Sequence, residues 1–178
     1  HVVDFDQSTG VAKRKYTAQG YSDASCWSRG QAWLITGFAS VFNHTKNNYF
    51  LSVARHVADY FIHHLPSDGI PYWDFNAPHH GYVPRDASAG AIAANGLFAL
   101  YGHTRNRTYL DVARRIIYSL GSATYLVSGN PHYHLPALLA NSTIRTANRT
   151  PNEADQATPY SEYYFLKALS YLHLYKDQ

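Results

Sequence analysis

Seven consecutive residues, Trp27-Ser28-Arg29-Gly30-Gln31-Ala32-Trp33, form the densest set of side chains able to handle a ligand. Trp27 and Trp33 offer flat faces on which the C–H side of a pyranose stacks. Arg29 offers a planar fork of donors that matches a carboxylate with two parallel hydrogen bonds. Together they suit an acidic sugar. The same spacing also fits two core tryptophans and a surface charge, and spacing alone does not separate these readings. Gln19, in the AQGYSD stretch, can hydrogen-bond a hydroxyl or simply sit in a loop.

Four carboxylates are candidate acids by position: Asp23, Asp74, Asp86 and Glu162. Asp86 stands where a helix N-cap is expected, Asp74 where it would brace an aromatic loop, and Asp23 where it would hold the loop before Trp27. None is assigned a catalytic role. The histidines include the pairs His63-His64 and His79-His80, but adjacent residues do not share a helix face, so no metal site is assigned. Cys26 is the only cysteine, so no internal disulfide forms.

The elements that must position these residues read as helices. Apolar residues Trp33, Leu34, Phe38, Val41 and Phe42 follow helical spacing in a segment from Trp27 to His44. Asn47 or Asn48 caps a second helix from about Tyr49 to Leu65. A Pro/Gly-rich segment from Pro66 to Pro84, carrying Tyr72, Trp73, Phe75 and Tyr82, breaks the pattern. A third helix, from about Asp86 to Tyr101, is packed with Ala and Gly, a costly composition unless neighbours press close; it is expected to be an inner, buried helix. A fourth runs from about Thr108 to Leu126. The last is capped by Thr158, begins with Pro159 and reaches about Tyr175. The stretch before Ser25 reads as a hairpin or loop.

A repeat underlies the helices. GFASVFNHTKNNYFLSVARHV, from Gly37, matches GLFALYGHTRNRTYLDVARRI, from Gly96, at an offset of 59 positions, and a degenerate third copy begins near Pro159. Each unit is a helical hairpin. Alternating inner and outer helices at this period build an α/α toroid, or alternatively an α/α solenoid. About three hairpins fit, half of a six-hairpin ring. Because the offset places Trp27 opposite Asp86, with Tyr160 at the third start, the inner helices should begin on one rim. Free N–H groups and positive dipole ends there favour an anion.

Composition is that of a globular protein, and it does not separate core-filling aromatics from sugar-stacking ones. Hydrophobic residues make up 46% and charged residues 15% of 178 positions, and the aromatic share of 15% is high. A net charge of +3 with scattered basic residues excludes a nucleic-acid stripe and suits an acidic substrate. No apolar run approaches the ~20 residues of a membrane span. Sequons at Asn43, Asn106, Asn141 and Asn148 point to secretion, with a cytoplasmic location as the alternative.

The run YTAQGYSDASCWSRGQAWLITGFA (Tyr16 to Ala39) resembles the family-88 unsaturated glucuronyl hydrolases, whose motif reads approximately QGY-x-D-x-S-x-WSRGQAW. PYWDFNAP (Pro71 to Pro78), RDASAGAIAA (Arg85 to Ala94) and YSEYYFLKAL (Tyr160 to Leu169) agree in the same order, so the resemblance covers essentially the whole chain. The related unsaturated rhamnogalacturonyl hydrolases share the fold, but typically carry a GRGN-type sequence where this chain has SRGQ.

The resemblance implies an all-α (α/α)6 toroid, with residues 1–178 as the C-terminal half of a single barrel domain. It implies removal of an unsaturated uronic acid from the non-reducing end of lyase-generated oligosaccharides. In that chemistry an Asp protonates C4 of the vinyl ether, water adds at C5, and the hemiketal collapses, with no metal or organic cofactor. Substrate contacts carry over to His1, Gln19, Trp27, Arg29, Trp33 and, more loosely, Tyr160. Ala18 departs from members that place a His before the Gln. The family's two essential Asp residues are expected upstream of His1. The rival expectation is a non-catalytic fragment or carbohydrate-binding remnant, with the third helix exposed along an open edge. The expected partners are unsaturated uronic-acid oligosaccharides, with neither nucleic acid nor membrane.

Overall fold

In the computed structural model the described residues start with an antiparallel hairpin, strands β1 (Val2–Phe5) and β2 (Ala12–Tyr16), and continue as five α-helices, with a short 3-10 turn at Val127–Gly129. The structure describes residues 2–78, 82–129, 136–145 and 153–178. His1, the sequon Asn148 and the pair His79-His80 lie outside the described residues.

The helices are α1 (Ser28–Thr45), α2 (Asn48–His63), α3 (Ala87–Thr104), α4 (Arg107–Leu120) and α5 (Pro159–Leu174). The repeat is written into their ends. Helices α1 and α3 have equal length and start 59 positions apart; α2 and α4 also start 59 positions apart. Lys46 and Arg105, again 59 apart, both end their helices in the left-handed conformation, at φ 56° and 59°. Asn47 and Asn106 then cap the next helix by accepting from Tyr49 N and Thr108 N. The hairpin turn is therefore a short local program, used twice.

Helices α1, α3 and α5 lie side by side, with α2 and α4 outside them. Helix α3 is the centre: from Ala87 to Leu97 every residue is buried. Its small side chains let both neighbours approach. A Cβ on Gly96 would meet Ile35 Cγ2 at 2.6 Å and Thr36 N at 2.9 Å, so only glycine fits that crossing. Around it, Ile35, Phe61, Ile92, Phe98, Leu110, Ile116 and Phe165 form one core.

Four expectations are corrected. Helix α3 is not the open edge, because α1 and α5 cover both its flanks; among the inner helices the exposed large apolar residues sit on α1 (Trp33, Leu34, Val41) and α5 (Tyr163, Leu166, Leu169, Leu174). Helix α3 runs on to Thr104, past Tyr101. Helix α4 stops at Leu120, where Gly121 takes up the C-cap, not at Leu126. Thr158 occupies the N-cap position of α5 but makes no side-chain capping bond; its carbonyl accepts instead from the amide and hydroxyl of Ser161. No helix among the described residues is long and apolar enough to cross a membrane.

Candidate functional site

The inner helices begin on one rim, and the Pro/Gly-rich segment laces two of those starts together. Trp27, the N-cap of α1, bridges to Asp74, and the amide and hydroxyl of Ser28 both donate to Trp73 O. On the other side Tyr72 bridges to Arg85, and Asp86 N donates to Pro71 O. Asp86 caps α3 by accepting from Ala89 N. The segment after α4 adds a third tie, Ala87 N to Asn141 O.

Arg29 is the hub of this rim. It is 2% exposed, and its Nη1 donates to Asp86 Oδ2 at 2.8 Å, Ser88 Oγ at 3.1 Å and Thr143 O at 2.6 Å. Its Nη2 donates to Ile144 O at 2.7 Å. Trp27 and Tyr160 flank the guanidinium, with ring centroids 4.7 and 5.3 Å from Cζ. Gln19 Nε2 reaches the same Ile144 carbonyl at 3.3 Å. Four of the anticipated site residues, Gln19, Trp27, Arg29 and Tyr160, thus meet around one carbonyl and one guanidinium. Neither alternative for Arg29, a surface charge or a freely presented clamp, describes it. The fully buried Asp86 neutralises its charge, and several of its donors serve the chain itself.

Trp33 stands apart. It lies further along α1, 37% exposed, and packs edge-on against Tyr164 of α5 at 5.2 Å.

The carboxylates have structural work. Asp74 is fully buried; Oδ2 accepts from Tyr21 N and Ser25 Oγ, and Oδ1 from Asn76 N. The loop wraps it so closely that a Cβ on Gly20 would come within 3.0 Å of Oδ2. Asp23 accepts from Thr17 N, and Glu162 accepts from Leu138 N. Asp86 both caps α3 and pairs with Arg29. No group of three or more His, Cys, Asp or Glu among the described residues could hold a metal ion.

Sequence reasoning missed that Asp86, Ser88 and the Thr143–Ile144 carbonyls hold Arg29. One signal was available: Ser88 lies 59 positions after Arg29, so the repeat sets them at equivalent places on adjacent inner helices. The carbonyls left no signal, because a backbone acceptor has no side-chain signature.

No protein-family model matches the chain. A curated relative, the unsaturated glucuronyl hydrolase of Formosa agariphila, is 42% identical over 171 residues, covering 95% of this chain and 42% of the relative. The unsaturated chondroitin disaccharide hydrolase of Streptococcus pneumoniae is 32% identical, covering 99% of this chain and 44% of its own length. Among solved structures, an unsaturated glucuronyl hydrolase specific for heparin superposes with a TM-score of 0.90 at 33% identity, covering 99% of this chain and 47% of the other. The toroid fold of these enzymes is the fold of this chain, which spans about half the length of each relative.

Proposed function

We propose that this chain, homologous along nearly its whole length to unsaturated glucuronyl hydrolases, forms the sugar-binding wall of such an enzyme, as the C-terminal half of one barrel domain. The reaction removes an unsaturated uronic acid from the non-reducing end of a lyase-generated oligosaccharide. One observation carries the reading: Gln19, Trp27, Arg29 and Tyr160 converge where three inner helices begin.

The geometry supports a division of labour. Trp27 and Tyr160 supply faces for the sugar ring. A guanidinium has five N–H donors. Among the described residues Asp86, Ser88 and Thr143 draw on Nη1 and Ile144 on one proton of Nη2, which leaves Nε–H and a second Nη2–H as the donors for a carboxylate. The helix starts add their positive ends. Since Asp74, Asp86 and Glu162 each brace backbone, the proton for C4 is expected from an Asp outside these residues. Trp33 is retained as an outlying contact, and His1, outside the described residues, is retained from the motif alone.

The test follows the ultraviolet absorbance of the conjugated double bond. A protein holding these residues together with the remainder of the ring should bleach a lyase-generated disaccharide, and Trp27→Ala should raise KM by the equivalent of about 0.5–1.5 kcal/mol of lost stacking. Failure to bleach any unsaturated uronide would leave the carbohydrate-binding remnant as the better reading.

A further inference from the structure

The sequons at Asn43, Asn106, Asn141 and Asn148 take no part in the function proposed above, and the fold sorts the three that lie among the described residues. Asn141 is tied into the rim. Its backbone sits in the left-handed region at φ 61°, its Nδ2 donates to Thr124 O at 2.9 Å, and its carbonyl accepts from Ala87 N. Ser142 and Thr143, which complete that sequon, are 0% and 1% exposed, and Thr143 O holds Arg29. A glycan on this nitrogen would have to grow between packed segments. Asn43 is exposed, but it lines a cavity of about 400 Å³ between α1, α3 and α5, away from the outer helices.

Asn106 differs from both. It stands in the turn between α3 and α4, exposed together with Arg107 and Thr108, with an extended backbone at φ −73° and ψ 113°. Its Oδ1 caps α4 by accepting from Thr108 N at 3.1 Å, while among the described residues its Nδ2 donates to none. The amide is thus divided: the oxygen serves the fold and the nitrogen is left over. Glycosylation substitutes the nitrogen and keeps the carbonyl, so the cap survives it, and the bulky group lands on the surface. The turn also lies at the far end of α3 from the Arg29 rim. That helix has 18 residues and is about 27 Å long, so a glycan here leaves the rim open.

The repeat supplies an internal comparison. Asn47, 59 positions earlier, is extended at φ −80° and ψ 114° and caps α2 by accepting from Tyr49 N at 3.0 Å. It is followed by Asn48-Tyr49 and so forms no sequon. Capping therefore does not call for Thr at position 108. We propose that Asn106 is an N-glycosylation site, taking its glycan from a polyprenyl-diphosphate-linked oligosaccharide. Nδ2 gives up a proton and bonds to the anomeric carbon of the first sugar. The C–O bond from that carbon to the diphosphate breaks, and its electron pair leaves with the diphosphate. The inference rests on the geometry of the turn and not on the catalytic reading, and its test reads mass, not turnover.

The protein is purified from its own source cells, treated with a peptide-N-glycanase in heavy-oxygen water, and digested. That treatment turns each glycosylated Asn into a heavy-labelled Asp. Peptides spanning Asn106 should carry the label, and those spanning Asn43 and Asn141 should not. Thr108→Ala, produced in the same cells, keeps the Asn106 cap and should lose the glycan with unchanged helical circular dichroism. Tyr49→Thr, at a position 67% exposed, should gain a glycan on Asn47. An unlabelled Asn106, label at Asn43 or Asn141, or a Tyr49→Thr protein that gains nothing would overturn the proposal.

Discussion

Arg29 and Asp86 form an ion pair whose side chains are 3% and 0% exposed, shielded far more than the other ion pairs among the described residues. Removing one partner of such a pair strands the other charge without water, at a cost of about 3–5 kcal/mol. Asp86→Asn should therefore lower stability to urea by roughly that amount, although Asn still caps a helix well. Adding Arg29→Met should recover part of the loss, since the stranded charge is then gone, and a double-mutant cycle measures the coupling. A single-variant loss under about 1 kcal/mol would mean that the pair is already solvated. Much of this site was legible as residue types: Gln19, Trp27, Arg29 and Tyr160 were named, and they meet. The division of Arg29 between fold and ligand was not legible, because half its partners are backbone carbonyls brought from beyond position 140.

Among the elements, the caps and glycines carry the architecture. Gly96→Ala tests the tight crossing: helix propensity favours Ala by about 1 kcal/mol, but overpacking against the α1 backbone costs about 1–3 kcal/mol. A net fall in thermal stability is expected; a rise would show that the helices can separate cheaply. His103 tests the other end of the same seam. Burial, then the nearby Lys46 charge, holds its imidazole below the usual 6.5. The unfolded chain therefore takes up the proton first. The stabilisation is full above that usual value and is lost as pH falls through it, down to the lower folded value. His103→Gln should flatten that part of the acid-side decline in melting temperature, and an unchanged slope would assign the decline to other groups. Sequence periodicity located the five α-helices of the described residues, with the inner helix α3 recognised from its small residues. Where it erred, a competing local signal decided: Arg105 in the left-handed conformation set the end of α3, and Gly121 that of α4. At α5 the Pro159 start held, while Thr158 turned its hydroxyl away from capping.

At the scale of the molecule, three consecutive inner helices make half of a ring. The offset of 59 announced that arrangement, since a period of this length leaves room for one hairpin and its turns. Which flank stays open could not be read from it: periodicity gives the order of the helices along the chain but not which are covered on both sides. The central claim is that the rim around Arg29 receives an unsaturated uronate. Saturation-transfer NMR of this chain with a lyase-generated unsaturated disaccharide tests it most directly, because the method detects weak binding to an incomplete site. The account predicts strongest saturation on the unsaturated ring, lost in Trp27→Ala. Equal saturation along both sugars, or a signal indifferent to Trp27→Ala, would contradict it.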